Sequence, residues 1–288
     1  MKKVAIIGAG NLGKVLGSAL KAKGYPLAAA FCRTNLTRDK AEKLLQCPVH
    51  ADKARVAAAG DIVFLTTPDQ AIQEVCADIA SAGGFRPGQC VIHTSGAHSS
   101  TVLAAAREQG AHVLSFHPLQ TFPNLEAGLQ ALPGTFFAVE GDEEGLAVAT
   151  ELVQALAGKM LSIPTEMKAL YHAAACVACN YLVSLMDVAL KMYETMDIPA
   201  EKAMEALSPL IEGTLRNITS IGPQQALTGP IARGDISTIS SHLESMEQQC
   251  PELMPLYSEL GHYTVDLARR KGTLDEVGAK EINKILGG

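Results

Sequence analysis

The stretch VAIIGAGNLG at residues 4–13 decides the fold of this chain. Its first four residues are a short, continuously apolar run, which is typical of a parallel strand buried on both faces. The three glycines behind the run are spaced as G-x-G-x-x-G, and helical periodicity follows them to about Lys23. A strand, a glycine turn and a helix in this order are the usual start of a doubly wound α/β domain.

Strands and helices alternate through the first half of the chain. Further apolar runs of strand length occur at residues 27–31, 62–65, 90–92, 113–116, 136–139 and 160–163, with helical segments between them, near residues 101–109 and 146–156 among others. Asp69 follows the break at Thr67 and Pro68 and is a predicted helix N-cap. The alternation predicts a mostly parallel sheet that is covered by helices.

The character of the sequence changes at Pro164. Strand-like alternation disappears, and long helical periodicity takes over, interrupted by proline and glycine at several points. The sequence therefore predicts an α/β Rossmann domain over residues 1–163 and an all-α domain over residues 164–288.

The composition excludes several classes of protein. Of the 288 residues, 48% are hydrophobic and 19% charged, which excludes a disordered chain. The net charge is −6, there is no basic block and no Trp, so a nucleic-acid partner is not expected. The seven cysteines have no regular spacing, and a strand begins directly after the first three residues. We therefore expect reduced thiols, no signal peptide and a cytoplasmic location.

The most apolar segment, residues 173–190, raises the question of a membrane. Asn180, Ser184 and Asp187 interrupt it, whereas a spanning helix needs about 20 residues with few or no charges. An apolar helix of this kind is expected to be buried in a helical domain or at a subunit interface. The sequence thus predicts a soluble homodimer that associates through its helical domain.

The glycine motif predicts a dinucleotide site. Gly8 would allow the tight turn, Gly10 the close approach of a pyrophosphate, and Gly13 the close packing of helix on strand. Asn11 and Leu12 begin the helix, whose free N–H groups favour an anion.

The end of the second strand indicates which dinucleotide is bound. An NAD site usually has an acidic residue there, but this chain has Arg33 and Thr34, which could bind a 2′-phosphate. Arg38 could assist, and the alternative is that Arg33 is an ordinary surface arginine. NADP is therefore the predicted cofactor.

Three residues behind the predicted strand at residues 62–65 are candidates for contact with the nicotinamide half. They lie at the carboxyl end of the strand, where open α/β sheets bind their ligands, and are Thr66, Thr67 and Pro68. A plain helix cap is the alternative interpretation of this segment.

The next two strand ends carry candidate catalytic residues. Dehydrogenases need a group that holds the proton of the substrate's hydroxyl, and histidine is the usual choice. His117, expected in a loop before Pro118, is the first candidate, with Ser95 positioning the same substrate group. The alternative for His117 is a structural bond to buried backbone. His93 is expected to belong to the core.

The first helix of the second domain adds polar residues on one face. Lys168, His172, Cys176 and Cys179 follow each other at spacings of four, four and three, and Asn180 lies at the edge of that face. Lys168 and His172 are candidate proton-handling groups, and Asn180 is a candidate substrate contact. The Cys-x-x-Cys pair has no second pair, so buried thiols are expected, with a metal or redox role as the weaker alternative.

A glycine-rich loop at residues 226–235 interrupts the helical domain. Thr228, Arg233 and Asp235 are candidate substrate contacts, since Arg233 could bind an anionic group. The alternative is that Asp235 caps a helix.

The motifs GAGNLG, HTSGAHSS, SFHPLQTF, YHAAACVACNY and ALTGPIARGD, in this order, resemble those of Rossmann-like proteins with a C-terminal domain of unknown function 2520. The resemblance spans nearly the whole chain and implies relatives built like 6-phosphogluconate dehydrogenase and pyrroline-5-carboxylate reductase. It implies an NADP-type Rossmann domain, a dimerising helical domain and an oxidoreductase activity.

Two wider resemblances concern single residues. His117 with Pro118 is similar to the His-Pro of prephenate dehydrogenases, whose histidine handles the substrate hydroxyl, and Ser95 resembles a serine of the same relatives. Lys168 is similar to the lysine of the Lys-x-x-x-Asn motif of β-hydroxyacid dehydrogenases, but His172 stands at the place of the asparagine.

The sequence as a whole predicts an NADP(H)-dependent oxidoreductase. Its substrate is expected to be small, polar and anionic, and to bind in a cleft between the two domains. A non-catalytic NADP(H) sensor is the alternative.

Overall fold

The computed structural model describes residues 1–287, apart from the side chains of residues 35–37. Its eight strands, β1 to β8 in chain order, are Val4–Ile7, Leu27–Phe31, Val49–His50, Ile62–Leu65, Cys90–His93, His112–Pro118, Phe136–Gly141 and Lys159–Ser162. They form one sheet in the order β3-β2-β1-β4-β5-β6-β7-β8, in which only the pairing of β6 with β7 is antiparallel. The order 3-2-1-4-5-6 is that of a Rossmann sheet, and it confirms the predicted fold.

The helices that cover this sheet are α1 to α7, at Asn11–Ala22, Asn35–Leu45, Lys53–Ala59, Ile72–Ser81, Ala104–Glu108, Leu125–Ala131 and Glu143–Ala155. The sequence interpretation missed β3 and α3 because a strand of two residues leaves no hydrophobic pattern.

Strand β1 shows why its sequence is apolar at every position. Val4 and Ile6 belong to the core cluster on one face of the sheet, and Ala5 and Ile7 to the cluster on the other face. All four side chains are fully buried, since both faces of the strand are covered. The same alternation of side chains between the two faces holds in β4. In the strand order, β1 and β4 are neighbours at the point where the order reverses.

The rest of the described chain is helical. Its helices α8 to α14 are Lys168–Ala178, Asn180–Glu194, Ala200–Ala226, Pro230–Arg233, Ile236–Gln249, Met254–Lys271 and Glu276–Ile285. The chain divides into two compact units, Met1–Ala178 and Cys179–Gly288, so α8 belongs to the unit that holds the sheet. The second unit has a core of its own, in which Ile239, Val265 and Ile282 are fully buried.

Helices α8 and α9 differ from the expected single buried helix. The backbone breaks at Cys179, and the apolar side chains of the segment are largely exposed within one chain, Leu170, Val177 and Val183 among them. By length and composition alone, Thr165–Glu194 is apolar enough to cross a membrane, with a mean hydropathy of 1.7. Exposed apolar side chains of this kind are typical of surfaces that bind a partner.

Candidate functional site

The three glycines between β1 and α1 are required for three different reasons. Gly8 has a φ of +105°, and a Cβ there would lie 3.0 Å from the carbonyl of Thr66. A Cβ on Gly13 would lie 2.4 Å from the carbonyl oxygen of Gly8, so this glycine allows the helix to pack on the strand. A Cβ on Gly10 would meet no described atom within 4 Å. The fold itself thus explains Gly8 and Gly13, and the space at Gly10 fits a ligand that approaches the backbone.

A cavity of about 420 Å³ lies along the carboxyl ends of β1, β2 and β4. Its walls come from the glycine loop, these strand ends and the first turns of α3 and α4, and consist of Gly8, Ala9, Gly10, Phe31, Cys32, Arg33, Thr34, Lys53, Thr66, Thr67, Pro68, Ala71 and Val75. Within residues 1–287, no side chain caps the N-terminus of α1. A pyrophosphate fits beside that helix end, because free N–H groups and the helix dipole favour an anion there.

The side chains of two predicted cofactor contacts make hydrogen bonds within the protein, and of the two only Thr66 lines the cavity. The Asn11 side chain donates to the carbonyl oxygens of Phe122 and Pro123, at 3.3 and 2.8 Å. The Thr66 hydroxyl donates to the carbonyl oxygen of Gly8 at 2.6 Å. These bonds fix the loops on either side of the glycine turn.

Cationic side chains line the cavity near the end of β2. Arg33 and Thr34 line it with exposed side chains, as predicted. Lys53 at the start of α3 lines it too, and its Nζ also pairs with the carboxylate of Asp78. Sequence analysis missed Lys53 because the two-residue strand β3 was not recognised. Without β3, the position of the following helix near the end of β2 could not be inferred. Arg38 is not among the lining residues.

The segments that follow β4 and β5 are joined by a partly buried side-chain hydrogen bond. The Ser95 hydroxyl donates to Oδ2 of Asp69 at 2.7 Å and accepts from the backbone N–H groups of Ala97 and His98. Ser95 is only 3% exposed. Its one proton is used within the protein, so the structure supports a role in holding the loop and gives no support to the predicted substrate contact.

The prediction that Asp69 caps a helix was wrong. Pro68 occupies the N-cap position of the short 3₁₀ turn Asp69–Ala71, and no side chain bonds the N–H groups of that turn. The Asp69 carboxylate is instead the acceptor for Ser95.

Lys168 is a buried cation beside this pair. It is 1% exposed, and its Nζ donates to the carbonyl oxygen of Ser95 at 3.2 Å. Burial lowers the pKa of Lys168 from 10.5 to about 8, and the nearby carboxylates of Glu140 and Asp69 oppose that shift. Near pH 8 the amine can therefore gain or lose a proton.

Glu140 is a buried carboxylate that sequence reasoning missed. It lies in β7, is 4% exposed and accepts from the N–H and the hydroxyl of Ser100, at 2.6 and 2.8 Å. The Thr165 hydroxyl donates to it as well, at 2.9 Å. Glu140 thus ties β7 to the turns before α5 and α8, and its charge is near that of Lys168.

His117 lies in a strand and not in the predicted loop. Strand β6 extends through Pro118 because it pairs with the antiparallel β7, with His117 opposite Ala138. Its Nδ1 is 2.9 Å from the hydroxyl of Tyr171, so its partner is a side chain and not backbone. Burial, and then the charges of Lys168 and His172, lower the pKa of His117 to about 4. The imidazole is neutral at pH 7.

Tyr171 is a further functional candidate that sequence reasoning missed. It lies one turn after Lys168 on α8, and its hydroxyl contacts His117. The Lys168 Nζ is 5.4 Å from the centre of its ring. Burial raises the pKa of Tyr171 to about 12, so its hydroxyl keeps its proton. The sequence offered no signal other than its place beside His172.

His172 completes a side-chain cluster with Lys168, Tyr171 and His117. Its ring centre is 5.9 Å from that of His117, and the rings are nearly perpendicular. Nε2 of His172 is 3.6 Å from Sγ of Cys176, whereas Nδ1 is buried without a hydrogen-bond partner among the described residues. The cluster thus contains a polar atom that the protein itself does not satisfy.

The remaining histidine and cysteine predictions had mixed outcomes. His93 is fully buried, as expected, and burial lowers its pKa to about 4. The prediction that both thiols of the Cys-x-x-Cys pair are buried was wrong, because Cys176 is half-buried and Cys179 is exposed. In the described part of the chain no three or more His, Cys, Asp or Glu residues form a possible metal site.

The predicted substrate contacts of the helical domain lie in the second unit. Asn180, Thr228 and Arg233 have exposed side chains, and their contact with a substrate stays a prediction. Asp235 accepts from the N–H and the hydroxyl of Thr238, at 3.2 and 2.8 Å, and caps α12. The structure therefore supports the capping alternative for Asp235.

Within the first unit, the cluster contains side chains that can exchange a proton with a substrate group. His117 and Tyr171 are hydrogen-bonded and neutral at pH 7, and Lys168 has a pKa near 8. His117 lies near the carboxyl end of β6, at the same edge of the sheet as the cavity, since strands β1, β4, β5 and β6 are parallel. Lys168 and Tyr171 on α8 contact Ser95 and His117 at this edge.

Solved structures share the fold of the whole chain. An NADP oxidoreductase candidate from Bacteroides fragilis, BF3122, superposes with a TM-score of 0.74 at 24% identity, over 92% of this chain and 98% of its own. A 1-pyrroline-5-carboxylate reductase from Streptococcus pyogenes gives 0.62 at 19%, over 93% and 98%. An imine reductase from Myxococcus stipitatus in complex with NADP⁺ gives 0.65 at 14%, over 97% and 99%. At these identities the likeness concerns the fold alone.

Sequence comparison identifies both domains. No curated protein sequence matches the chain significantly. A family model described as a Rossmann-like domain matches residues 1–118, and the model of the domain of unknown function DUF2520 matches residues 135–264. The chain therefore carries a Rossmann-like domain followed by a DUF2520 domain.

Proposed function

We propose that this protein is a cytoplasmic NADP(H)-dependent oxidoreductase that acts on a small polar substrate. The observation that carries the proposal is the open space at Gly10, beside an uncapped helix end and in a cavity that ends at Arg33 and Thr34. The fold is shared with proteins that are described as NADP oxidoreductases, which supports the same cofactor.

Each part of the cavity has a task in holding NADP(H). The N–H groups of Asn11, Leu12 and Gly13 at the start of α1 would face the pyrophosphate. Arg33 would bind the 2′-phosphate, since a guanidinium binds phosphate through two parallel hydrogen bonds. Once bound, the nicotinamide would supply or accept hydride.

The residues of the cluster would handle the proton that accompanies hydride. His117 is neutral at pH 7, so it can take the proton of a reacting hydroxyl or return it, with Tyr171 bonded to its other nitrogen. Lys168 is the alternative proton carrier, because its pKa of about 8 is close to neutrality. Arg233, an exposed cation of the second unit, is the predicted anchor for an anionic substrate.

Cofactor binding can be tested without knowing the substrate. In a fluorescence titration, we expect NADPH to bind roughly ten- to a hundredfold more tightly than NADH, the value of a hydrogen bond to a charged group. Arg33→Ala should remove most of that preference. Arg55→Ala, which removes an exposed arginine of α3 outside the cavity, should leave it unchanged. Equal affinities of the wild type for the two cofactors would contradict the proposal.

Catalysis needs a separate test, since binding alone would also suit a sensor. A panel of keto acids, aldehydes and imines should reveal slow NADPH oxidation, and His117→Asn should reduce it by about 10²–10⁴ without weakening NADPH binding. Tight NADPH binding with no turnover on any compound would instead identify a sensor.

A further inference from the structure

The segment after β3 brings a second cation to the dinucleotide cavity. Strands β2 and β3 are parallel, with Phe31 opposite His50. Arg33 follows Phe31 by two residues and Lys53 follows His50 by three, so both leave the sheet at the same edge, from strands about 4.8 Å apart. Both side chains line the cavity. Among the described lining residues these two carry positive charge, and none carries negative charge.

The position of the Lys53 side chain is fixed from both ends. The Asp52 carboxylate accepts from the N–H groups of Ala54 and Arg55, at 3.0 and 3.1 Å, and so fixes the backbone at the start of α3. At the other end of the side chain, Nζ pairs with the carboxylate of Asp78 on α4. An ammonium group has three N–H donors, so this pair leaves donors for a second anion.

We propose that Lys53 binds the 2′-phosphate of NADP(H) together with Arg33, and so helps to discriminate NADPH from NADH. The inference rests on the proposed function and names a second specificity-determining residue for its cofactor. A phosphate monoester carries a charge of about −1.5 to −2 at pH 7, which two cations match and one does not. The 2′-hydroxyl of NADH is neutral, so a second cation gives it no comparable stabilisation.

The two cations would have different parts in the same contact. The planar guanidinium of Arg33 can bind two phosphate oxygens through parallel hydrogen bonds. The Lys53 ammonium is a compact charge that can bind the remaining oxygen. Because Asp78 already holds the lysine side chain, less conformational freedom is lost when the phosphate binds.

The first test measures the affinities for NADPH and NADH by fluorescence titration. The Lys53 side chain is 29% exposed, so its contact should lie between an exposed ion pair and a charged hydrogen bond in strength. Lys53→Met should therefore weaken NADPH binding by about fivefold and leave NADH binding unchanged. Lys53→Arg, which keeps a cation, should retain most of the preference. A Lys53→Met variant that binds both cofactors as the wild type does, or loses affinity for both equally, would overturn the proposal.

Two further variants distinguish direct contact from the loss of a nearby charge. Arg55→Met removes an equal charge two positions further along α3, outside the cavity, and should leave the preference unchanged. Lys53→Met also leaves the Asp78 carboxylate without this partner, and its charge repels a phosphate. The double variant Lys53→Met/Asp78→Asn lacks that charge, and its NADPH binding should stay weak. Recovery of the wild-type affinity in the double variant would show that Lys53 does not contact the phosphate.

The second test reads the charge of the phosphate itself and needs no substrate. The second pKa of a phosphate monoester is about 6 in water, and nearby cations lower it because they favour the dianion. In ³¹P NMR of NADP⁺ bound to the wild type, the pKa of the 2′-phosphate should lie below that value. Lys53→Met should raise it, whereas Arg55→Met should not. The same pKa in the wild type and in Lys53→Met would exclude the contact.

These outcomes separate the inference from the proposed function. If the wild type binds NADPH no more tightly than NADH, the proposed cofactor is wrong, and the role of Lys53 fails with it. If the wild type prefers NADPH and Arg33→Ala removes that preference while Lys53→Met does not, the proposed function stands and the role of Lys53 is wrong.

Discussion

At the scale of single residues, Gly10 is a position where a substitution should affect cofactor binding and not stability. A methyl group there meets no described atom within 4 Å, so Gly10→Ala should leave the melting temperature unchanged within the scatter of surface substitutions. The same methyl group would stand where a pyrophosphate approaches, so NADPH affinity should fall by at least about tenfold, as for a lost charge-assisted hydrogen bond. Calorimetric melting and fluorescence titration measure the two effects.

Gly145→Ala is the matched control for that change. It lies in α7, where a Cβ would make ordinary contacts, the nearest at 3.6 Å, so both melting and NADPH affinity should stay as in the wild type. An alanine at position 10 that binds NADPH as well as the wild type does would show that the cofactor lies elsewhere.

The buried Lys168 predicts a pH dependence of stability. Its pKa is about 8 in the folded protein and 10.5 in the unfolded chain, so the unfolded chain binds more protons between these values. Stability should therefore rise as the pH increases from 8 to 10.5, by about 3 kcal/mol in the limit, and be lowest below pH 8. Urea unfolding at several pH values should show this slope in the wild type and not in Lys168→Met.

The exposed Lys280 supplies the comparison for Lys168. Lys280→Met removes an equal charge from the surface of α14, so it should keep the wild-type slope between pH 8 and 10.5. A slope of the same size in Lys168→Met would show that other groups cause it.

At the scale of elements, the cap of α12 has a defined energetic value. Asp235 is the residue before Ile236–Gln249, and its carboxylate accepts from the N–H of Thr238. Asp235→Ala should lower the free energy of unfolding by about 1 kcal/mol, whereas Asp235→Asn or Asp235→Ser should retain most of it. Denaturant unfolding of the three variants at pH 7 measures the difference. Equal losses in all three would point to a role other than capping.

Elements whose residues are neighbours in sequence were predictable, and contacts between distant residues were not. The glycine turn and Arg33 follow from spacing along one βαβ unit. Tyr171 and Glu140 became functional candidates only because the sheet brings β6 and β7 against α8. The Ser95 hydroxyl was expected to face a substrate, but its donor partner is Asp69, 26 positions earlier in the chain. Periodicity carries no information about such a bond.

The end of β6 shows a similar limit. The apolar run stops at Phe116, so His117 was expected in a loop. The antiparallel partner β7 extends the strand by pairing Pro118 with Phe137, and this fixes the direction of the imidazole. His117 and Pro118 are part of the strand because they pair with β7, and not because their own side chains favour a strand.

At the scale of the whole molecule, α8 and α9 each expose large apolar side chains. Leu170 is 62% exposed, Tyr181 60% and Val183 67%, on helices whose composition resembles that of a membrane span. Asp187 and Lys191 form an ion pair at 2.8 Å on the same segment, which a bilayer would disfavour. We propose that a second copy of the chain covers this surface, since an obligate homodimer can bury more than 2,000 Å² of largely apolar surface.

The dimer can be tested by light scattering at micromolar concentration. The wild type should have the mass of two chains, and Val183→Glu should shift it towards one, because the carboxylate would lose its hydration inside an apolar interface. Val277→Glu is the control: Val277 is 66% exposed on a different helix, α14, so the same substitution there should leave the mass of two chains unchanged. A wild type with the mass of one chain that sediments with lipid vesicles would show that a membrane surface, and not a second copy, covers these helices.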